Sequence, residues 1–79
     1  MLNQKQLYHV LDFPKHLQVT LTTLLKLGSP TATEVAAATG KARAVESAYL
    51  NQLVIMRIVK KEQRGRNVFF CVDLEALDW

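Results

Sequence analysis

Residues 42–56 form a helix-favouring stretch with polar side chains spaced by four, at Arg43, Ser47 and Asn51. Because residues four apart lie on one side of a helix, these three share a surface. An arginine can bind guanine through two hydrogen bonds, and a serine hydroxyl can bind a base edge or a phosphate. Asn51 lies further along, where bases are harder to reach. The simpler interpretation is an ordinary solvent-exposed helix face.

Small and basic residues accompany this polar stripe. Ala44 and Ala48 could approach a thymine methyl group and would let the helix sit deep in a groove, while Lys41 in the preceding turn suits a phosphate. If the helix enters a DNA major groove, its N-terminal half reads the bases. The residues predicted to contact DNA from this helix are therefore Lys41, Arg43, Ala44, Ser47, Ala48 and Asn51.

Positive charge is concentrated in the middle of the chain. Residues 41–67 carry seven Lys or Arg against two Glu, whereas residues 68–79 carry three acidic and no basic residues. The glycine in Arg64-Gly65-Arg66-Asn67 is typical of a hairpin turn between two strands. A basic hairpin of this kind can lie along phosphates or enter the minor groove, although edge charges also protect hairpins from aggregation. The predicted hairpin contacts are Lys60, Lys61, Arg64, Arg66 and Asn67.

Glu46 is the acidic residue within the predicted DNA-contacting helix. Its carboxylate could accept a hydrogen bond from cytosine. The alternatives are an ion pair with a nearby Lys or Arg, or exposure to solvent. A carboxylate on this face would weaken nonspecific affinity for DNA, which indicates either sequence preference or no DNA-binding function.

Sites for metals, cofactors and catalysis are poorly supported. His9 and His16 are seven residues apart across Pro14, and Cys71 has no second cysteine beside it. Metal sensors need clustered thiolates or His and Asp ligands. A lone Cys71 on a strand is expected to be a core or edge residue, with a redox role only if it is exposed with a lowered pKa. We therefore predict no metal, no cofactor, no small-molecule ligand and no enzymatic activity.

The length of 79 residues indicates one small domain, with residues 1–79 as a single unit, and the net charge is +3. Apolar runs are too short for a membrane span, and polar residues near the N-terminus leave no secretory signal. A single cysteine suits a reducing compartment. The predicted location is the cytoplasm, in association with the nucleoid.

Local signals predict three helices and two strands. Proline at 14 starts a helix with an apolar stripe at Leu17, Leu21, Leu24 and Leu25, which Gly28 ends. Thr31 and Glu34 have capping-box spacing before a helix at 33–39, and Gly40 supplies the turn. The helix at 42–56 is predicted to bury Val45, Tyr49, Leu53 and Met56, with Leu50 flanking this stripe. Strands follow at 58–63 and 68–73, with Val68, Phe70 and Val72 facing the core.

Three helices followed by a hairpin resemble the winged helix-turn-helix of small bacterial and archaeal regulators. The residues that carry the resemblance are the pattern T-x-x-E-V-A-x-x-T-G, then L-x-x-L at Leu50 and Leu53, then I-V before a basic hairpin. That group includes the MarR, ArsR and TrmB families. The resemblance covers residues 31–73. It implies a mainly α fold with a small β-hairpin, and binding to double-stranded DNA. The sequence departs from the group at Ala42, Glu46 and Arg57, where Ser or Thr, an apolar residue and Gly are common.

Two apolar segments, 1–12 and 74–79, flank the minimal motif. In similar regulators terminal helices pair across a two-fold axis, which implies a homodimer here; the alternative is that these segments cover the core of one chain. The predicted interface residues are Leu7, Val10, Leu11, Leu77 and Trp79.

The leading functional hypothesis is a DNA-binding transcriptional regulator, with helix 42–56 in the major groove and the hairpin at 60–67 on the backbone. The alternative is a winged-helix module that docks on other proteins in a transcription or chromosome-maintenance assembly. The modest charge and the acidic C-terminal residues argue against a nonspecific chromatin protein.

Overall fold

A computed structural model describes residues 11–73 of the chain. Three helices, α1 (Lys15–Leu27), α2 (Ala32–Thr39) and α3 (Arg43–Ile55), precede two antiparallel strands, β1 (Val59–Arg64) and β2 (Asn67–Val72). The predicted mainly α fold with a β-hairpin is confirmed. Each predicted boundary lies within about two residues of the observed one, as is usual for element ends. No helix in this part of the chain has the length and apolar character to cross a membrane.

Helix α1 begins after Pro14, whose carbonyl accepts hydrogen bonds from the N–H groups of Leu17 and Gln18. It ends at Gly28, which has φ 83° and donates its N–H to the carbonyl of Leu24. The buried stripe consists of Leu17, Thr20, Leu21 and Leu24. Leu25 was wrongly assigned to this stripe: it is 38% exposed, because it lies past the edge of the face that the other leucines define.

Helix α2 is capped as its sequence predicts. The Thr31 hydroxyl accepts the Glu34 N–H at 3.2 Å, and the Glu34 carboxylate accepts the Thr31 N–H at 2.9 Å. The helix starts one residue earlier than predicted because Thr31 itself is the cap. Gly40 ends it with φ 73°, in the left-handed region that glycine adopts without strain. This capping box and glycine turn fix where α2 stops and where α3 can begin.

Helix α3 buries a different face from the predicted one. Its buried residues are Glu46, Leu50 and Leu53, whereas Val45 and Met56 are 38% and 42% exposed. The predicted stripe was therefore wrong by about one residue in rotation at Val45 and Met56, although Leu53 is buried as predicted and Tyr49 packs partly buried against the core. The rotation follows from Glu46, which is fully buried rather than exposed to solvent.

The hydrophobic core joins all five elements. Burying these side chains removes apolar surface from water, the main favourable term in folding a chain of this size. Its buried members are Leu17, Leu21, Leu24, Ala32, Val35, Leu50, Leu53, Ile58, Val59 and Phe70.

The hairpin is closed by a two-residue turn, Gly65-Arg66, in which Gly65 has φ 61°. A hairpin turn with a positive φ at its first central position favours glycine there. As predicted, Phe70 is buried, and Val68 and Val72 pack partly buried against the core. The pairing of β1 with β2 sets Lys61 opposite Phe70, so their side chains share one face of the sheet.

An isolated backbone bridge to the hairpin was not predicted. The segment before α2 pairs with β2: the Phe70 N–H donates to the Pro30 carbonyl at 2.8 Å, and Thr31 forms a bridge with Phe69. The hairpin is therefore attached by a backbone hydrogen bond to the segment that leads into α2.

Of the predicted dimer-interface residues, Leu11 is within the described part and is 58% exposed. The others lie outside the described residues: Leu7, Val10, Leu77 and Trp79.

The end of α3 has a Schellman motif with arginine in the place of glycine. The Ile58 N–H donates to the Leu53 carbonyl and the Arg57 N–H to the Val54 carbonyl. Such a motif requires a left-handed residue, and Arg57 has φ 64°, the one positive φ at a non-glycine position among residues 11–73. Leu53 and Ile58 are both buried, which supplies the apolar contact that accompanies this motif. Arg57 is thus held in a strained backbone conformation.

Arg57→Gly is expected to raise the free energy of unfolding by about 0.5–1 kcal/mol, because relief of left-handed strain, itself about 1–2 kcal/mol, outweighs the greater freedom of glycine in the unfolded chain. Urea denaturation measures the change. Arg57→Ala is the matched control, since it removes the same side chain but keeps the Cβ atom and its strain. Equal stabilities for the Gly and Ala variants would show that the backbone conformation is not the cause.

Candidate nucleic-acid interface

A groove of about 510 Å³ lies between α3, the hairpin and the start of α2. Three elements that are distant in sequence meet there because β2 is bonded to Pro30 and α3 packs beside α2. The lining residues are Thr31, Ala32, Thr33, Arg43, Ser47, Asn51, Lys61, Arg66, Asn67, Val68 and Phe70. The groove is therefore polar and basic along its helix and hairpin walls and apolar at its floor.

The helical wall consists of the three residues that the sequence placed on one face. Arg43, Ser47 and Asn51 all line the groove, so the spacing by four is an observed surface. Arg43 donates from Nε to the Thr33 hydroxyl at 3.1 Å. A bond through Nε leaves the two terminal NH₂ groups, which can donate to a planar acceptor pair such as the O6 and N7 atoms of guanine.

The hairpin wall contains some of the predicted basic residues and not others. Lys61, Arg66 and Asn67 line the groove. Lys60 is paired with Cys71 and lies on the opposite face of the strands from Lys61, because side chains alternate along a strand. Arg64 is on the same outer face as Lys60. The structure therefore separates the hairpin cations into two sets, one facing α3 and one facing away.

Arg64 on the outer face is engaged by two neighbours. Its guanidinium lies 3.1 Å from the Glu62 carboxylate and 5.0 Å from the centre of the Phe69 ring. The hydrogen bond with Arg64, reinforced by its charge, lowers the pKa of Glu62, and the same bond raises the pKa of Arg64. Both side chains are well exposed, so the pair adds little stability. Its effect is to offset one hairpin cation locally.

Three residues predicted from the helix sequence are not among those lining the groove. Ala44 and Ala48 are exposed and follow Arg43 and Ser47 in sequence, so they lie to one side of the helical wall. Lys41 in the turn lies 4.0 Å from the Glu46 carboxylate and 5.4 Å from the centre of the Tyr49 ring. Glu46 therefore lies beside a cation, as one of the predicted alternatives had it. The other alternative, exposure to solvent, is wrong because Glu46 is fully buried.

The start of α2 adds residues that sequence reasoning missed. Thr31, Ala32 and Thr33 line the groove, and Thr33 is the partner of Arg43. The capping sequence did locate the helix start, and a helix N-terminus carries partial positive charge. What no local pattern indicated was that this end of α2 would face the same opening as α3.

The metal and redox hypotheses gain no support from residues 11–73. No group of three or more potential ligands is present in that range. Cys71 is half-buried on the outer face of β2, as expected for a strand-edge residue.

A comparison of sequences identifies a relative, although no protein-family model matches the chain. An uncharacterized protein of Archaeoglobus fulgidus is 41% identical over 59 residues, which are 75% of this chain and 80% of that protein.

Solved structures give a consistent fold. The antimony-specific transcriptional repressor AntR superimposes with a TM-score of 0.71 at 27% identity over 90% of this chain. YusO from Bacillus subtilis gives 0.72 at 16% identity over 91%, and the oxidized form of MarR from E. coli gives 0.74 at 16% over 95%. The chain spans 63%, 52% and 66% of those three proteins, respectively.

These neighbours are winged-helix regulators of the MarR family and not enzymes. Their shared features with this chain are the three helices and the antiparallel hairpin described above. The chain therefore belongs to one family with the Archaeoglobus fulgidus protein, and it is a winged helix-turn-helix domain that resembles the MarR-type regulators.

Proposed function

We propose that this protein is a transcriptional regulator that binds double-stranded DNA, with α3 in the major groove and the hairpin along the phosphate backbone. The observation that carries the proposal is the groove in which the polar face of α3 meets Lys61 and Arg66. Hydrogen-bonding side chains on one wall and cations on the other are what base recognition and phosphate binding respectively require.

The division of charge supports distinct roles for the two walls. On α3, Arg43 is the groove-lining cation, and its bond to Thr33 through Nε supports a role in which the terminal NH₂ groups contact a base. On the hairpin, Lys61 and Arg66 suit phosphate oxygens. A homodimer on a palindromic site, in the cytoplasm at the nucleoid, completes the proposal, with half-sites about 34–36 Å apart.

Selection of bound sequences from a random DNA pool at physiological salt tests the proposal directly. We expect a recovered palindrome. The salt dependence of affinity provides a second measurement: with about five phosphates contacted, the slope of log affinity against log salt should be near −4 to −5. A flat salt response with no enriched sequence would favour a module that docks on other proteins.

Arg43→Lys is expected to relax sequence preference at one base position, losing about 1–3 kcal/mol of discrimination, because lysine cannot make the two parallel hydrogen bonds of a guanidinium. The charge is kept, so the salt slope should be unchanged. Competition binding against single-base variants of the selected site measures both. If the variant keeps full discrimination, Arg43 takes no part in base recognition.

Arg66→Ala is expected to weaken binding to all sequences about equally and to reduce the salt slope by about 0.9, because one phosphate contact is lost. Arg57→Ala serves as the matched control, since it removes an exposed arginine that does not line the groove. Fluorescence anisotropy titrations over a range of salt concentrations give the slopes. If both substitutions reduce the slope equally, the effect is one of net charge and not of the groove.

Glu62→Gln is expected to steepen the salt slope, by at most about 0.9, because it frees Arg64 from its carboxylate partner to reach one more phosphate. Asp12→Asn removes the same charge from the start of α1 and is the control. Because Arg64 lowers the pKa of Glu62, the carboxylate is charged at neutral pH, where the wild-type protein and the variant are compared. An unchanged slope for Glu62→Gln would mean that Arg64 plays no part in binding.

A further inference from the structure

Glu46 is a fully buried carboxylate in the first turn of α3. The Thr20 hydroxyl donates to its Oε1 atom at 2.7 Å, and the Thr39 hydroxyl donates to its Oε2 atom at 2.8 Å. Lys41 lies 4.0 Å from Oε2. Each carboxylate oxygen therefore has its own hydroxyl partner, one on α1 and one at the end of α2.

These two bonds fix α3 in a way that apolar packing does not. Leu50 and Leu53 hold the helix against the core, but contacts between aliphatic side chains are non-directional and tolerate sliding and rotation. Hydrogen bonds to two separate helices require the carboxylate to lie between them in one orientation. The first turn of α3 is thus held at two points.

Stability does not account for this arrangement. Burying a carboxylate costs several kcal/mol in desolvation, and replacing a buried polar network by apolar residues of similar volume is often neutral or stabilising. The two hydroxyls have alternative acceptors in their own helices, the His16 carbonyl at 3.1 Å from Thr20 and the Ala36 carbonyl at 3.5 Å from Thr39. Neither threonine would be left without a partner if Glu46 were apolar.

The location of Glu46 indicates what the two bonds achieve. It is three residues after Arg43 and one before Ser47, in the N-terminal half of α3, which contributes both of these residues to the groove. Each residue along a helix advances the direction of the side chains by about 100°, so a small rotation at Glu46 redirects both neighbours.

We propose that Glu46 is a positioning residue for DNA recognition: its bonds to Thr20 and Thr39 set the rotation of α3 so that Arg43 and Ser47 face the groove. The consequence of this role for DNA binding rests on the proposed function. The orientation of α3 can be measured without DNA, so the positioning role of Glu46 and the DNA-binding function are tested separately.

Glu46→Leu and Glu46→Gln form the test pair. Leucine has similar bulk and no polar atoms. Glutamine can accept one hydroxyl at Oε1 and donate from Nε2 to the other, which can turn its own hydrogen to the helix carbonyl. Residual dipolar couplings measure the orientation of α3 relative to α1 in the free protein. Competition binding measures the ratio of specific to nonspecific DNA affinity.

For Glu46→Leu we expect a folded protein in which α3 turns by more than about 10°, the tolerance within which a binding constellation must be held. Its specificity ratio should fall about tenfold, as for one lost base contact, at an unchanged salt slope. Glu46→Gln should keep the wild-type orientation and ratio. If Glu46→Leu does not fold, Thr20→Val, which removes one of the two hydroxyls at constant volume, is measured in its place.

An unchanged orientation of α3 in the leucine variant would overturn the proposal, as would a glutamine variant that behaves like the leucine one. A wild-type protein without selective DNA binding would overturn the proposed function, and the dipolar couplings would then decide the role of Glu46 alone.

Discussion

The hydrogen bond from the Phe70 N–H to the Pro30 carbonyl is the contact on which the geometry of the groove depends. An isolated two-stranded hairpin is marginally stable in water, so β1 and β2 need a further partner. The segment before α2 provides it through an isolated bridge, and Phe70 adds its side chain to the core. With β2 bonded on both edges, the Lys61 face of the hairpin is directed at α3. This attachment, together with the packing of Phe70 and Val59 in the core, holds the basic residues in a fixed relation to α3.

The alternation of side chains along the strands decides which face of the hairpin carries each charge. Lys61 faces inward, while Lys60 and Arg64 share the outer face, where Glu62 offsets part of their charge. Charges on the outer face keep a strand edge from pairing with other chains. The outer face can therefore resist association with other chains, while the inner face, with Lys61, keeps a cation that can bind an anion. In the groove, the helical wall contributes one cation and two neutral hydrogen-bonding side chains, a composition that under the proposed function suits selectivity more than affinity.

Local signals in the sequence predicted the structure well, whereas contacts between distant residues were missed. The capping box at Thr31 and Glu34 and the turn at Gly40 depend on a few adjacent residues, and each was confirmed. The rotation of α3 was wrong because the burial of Glu46 depends on a hydroxyl 26 residues away in Thr20. The face of a helix cannot be assigned from apolar periodicity when a charged residue is buried with partners on other elements. For the groove, the sequence predicted the polar face of α3 that forms the helical wall, but it did not predict that the start of α2 would line the same groove.

In the proposed complex, the two-residue turn at Gly65-Arg66 would limit how much of the DNA one chain can cover. Each strand of the hairpin has six residues and so extends about 20 Å, with no loop beyond it to lengthen the reach. One turn of DNA is about 34 Å long, so a footprint defined by α3 and this hairpin is a little more than half a turn. A sequence that short recurs often in any genome. The information needed to mark a rare site would have to come from two such domains acting together, which makes the spacing between them a second determinant of specificity.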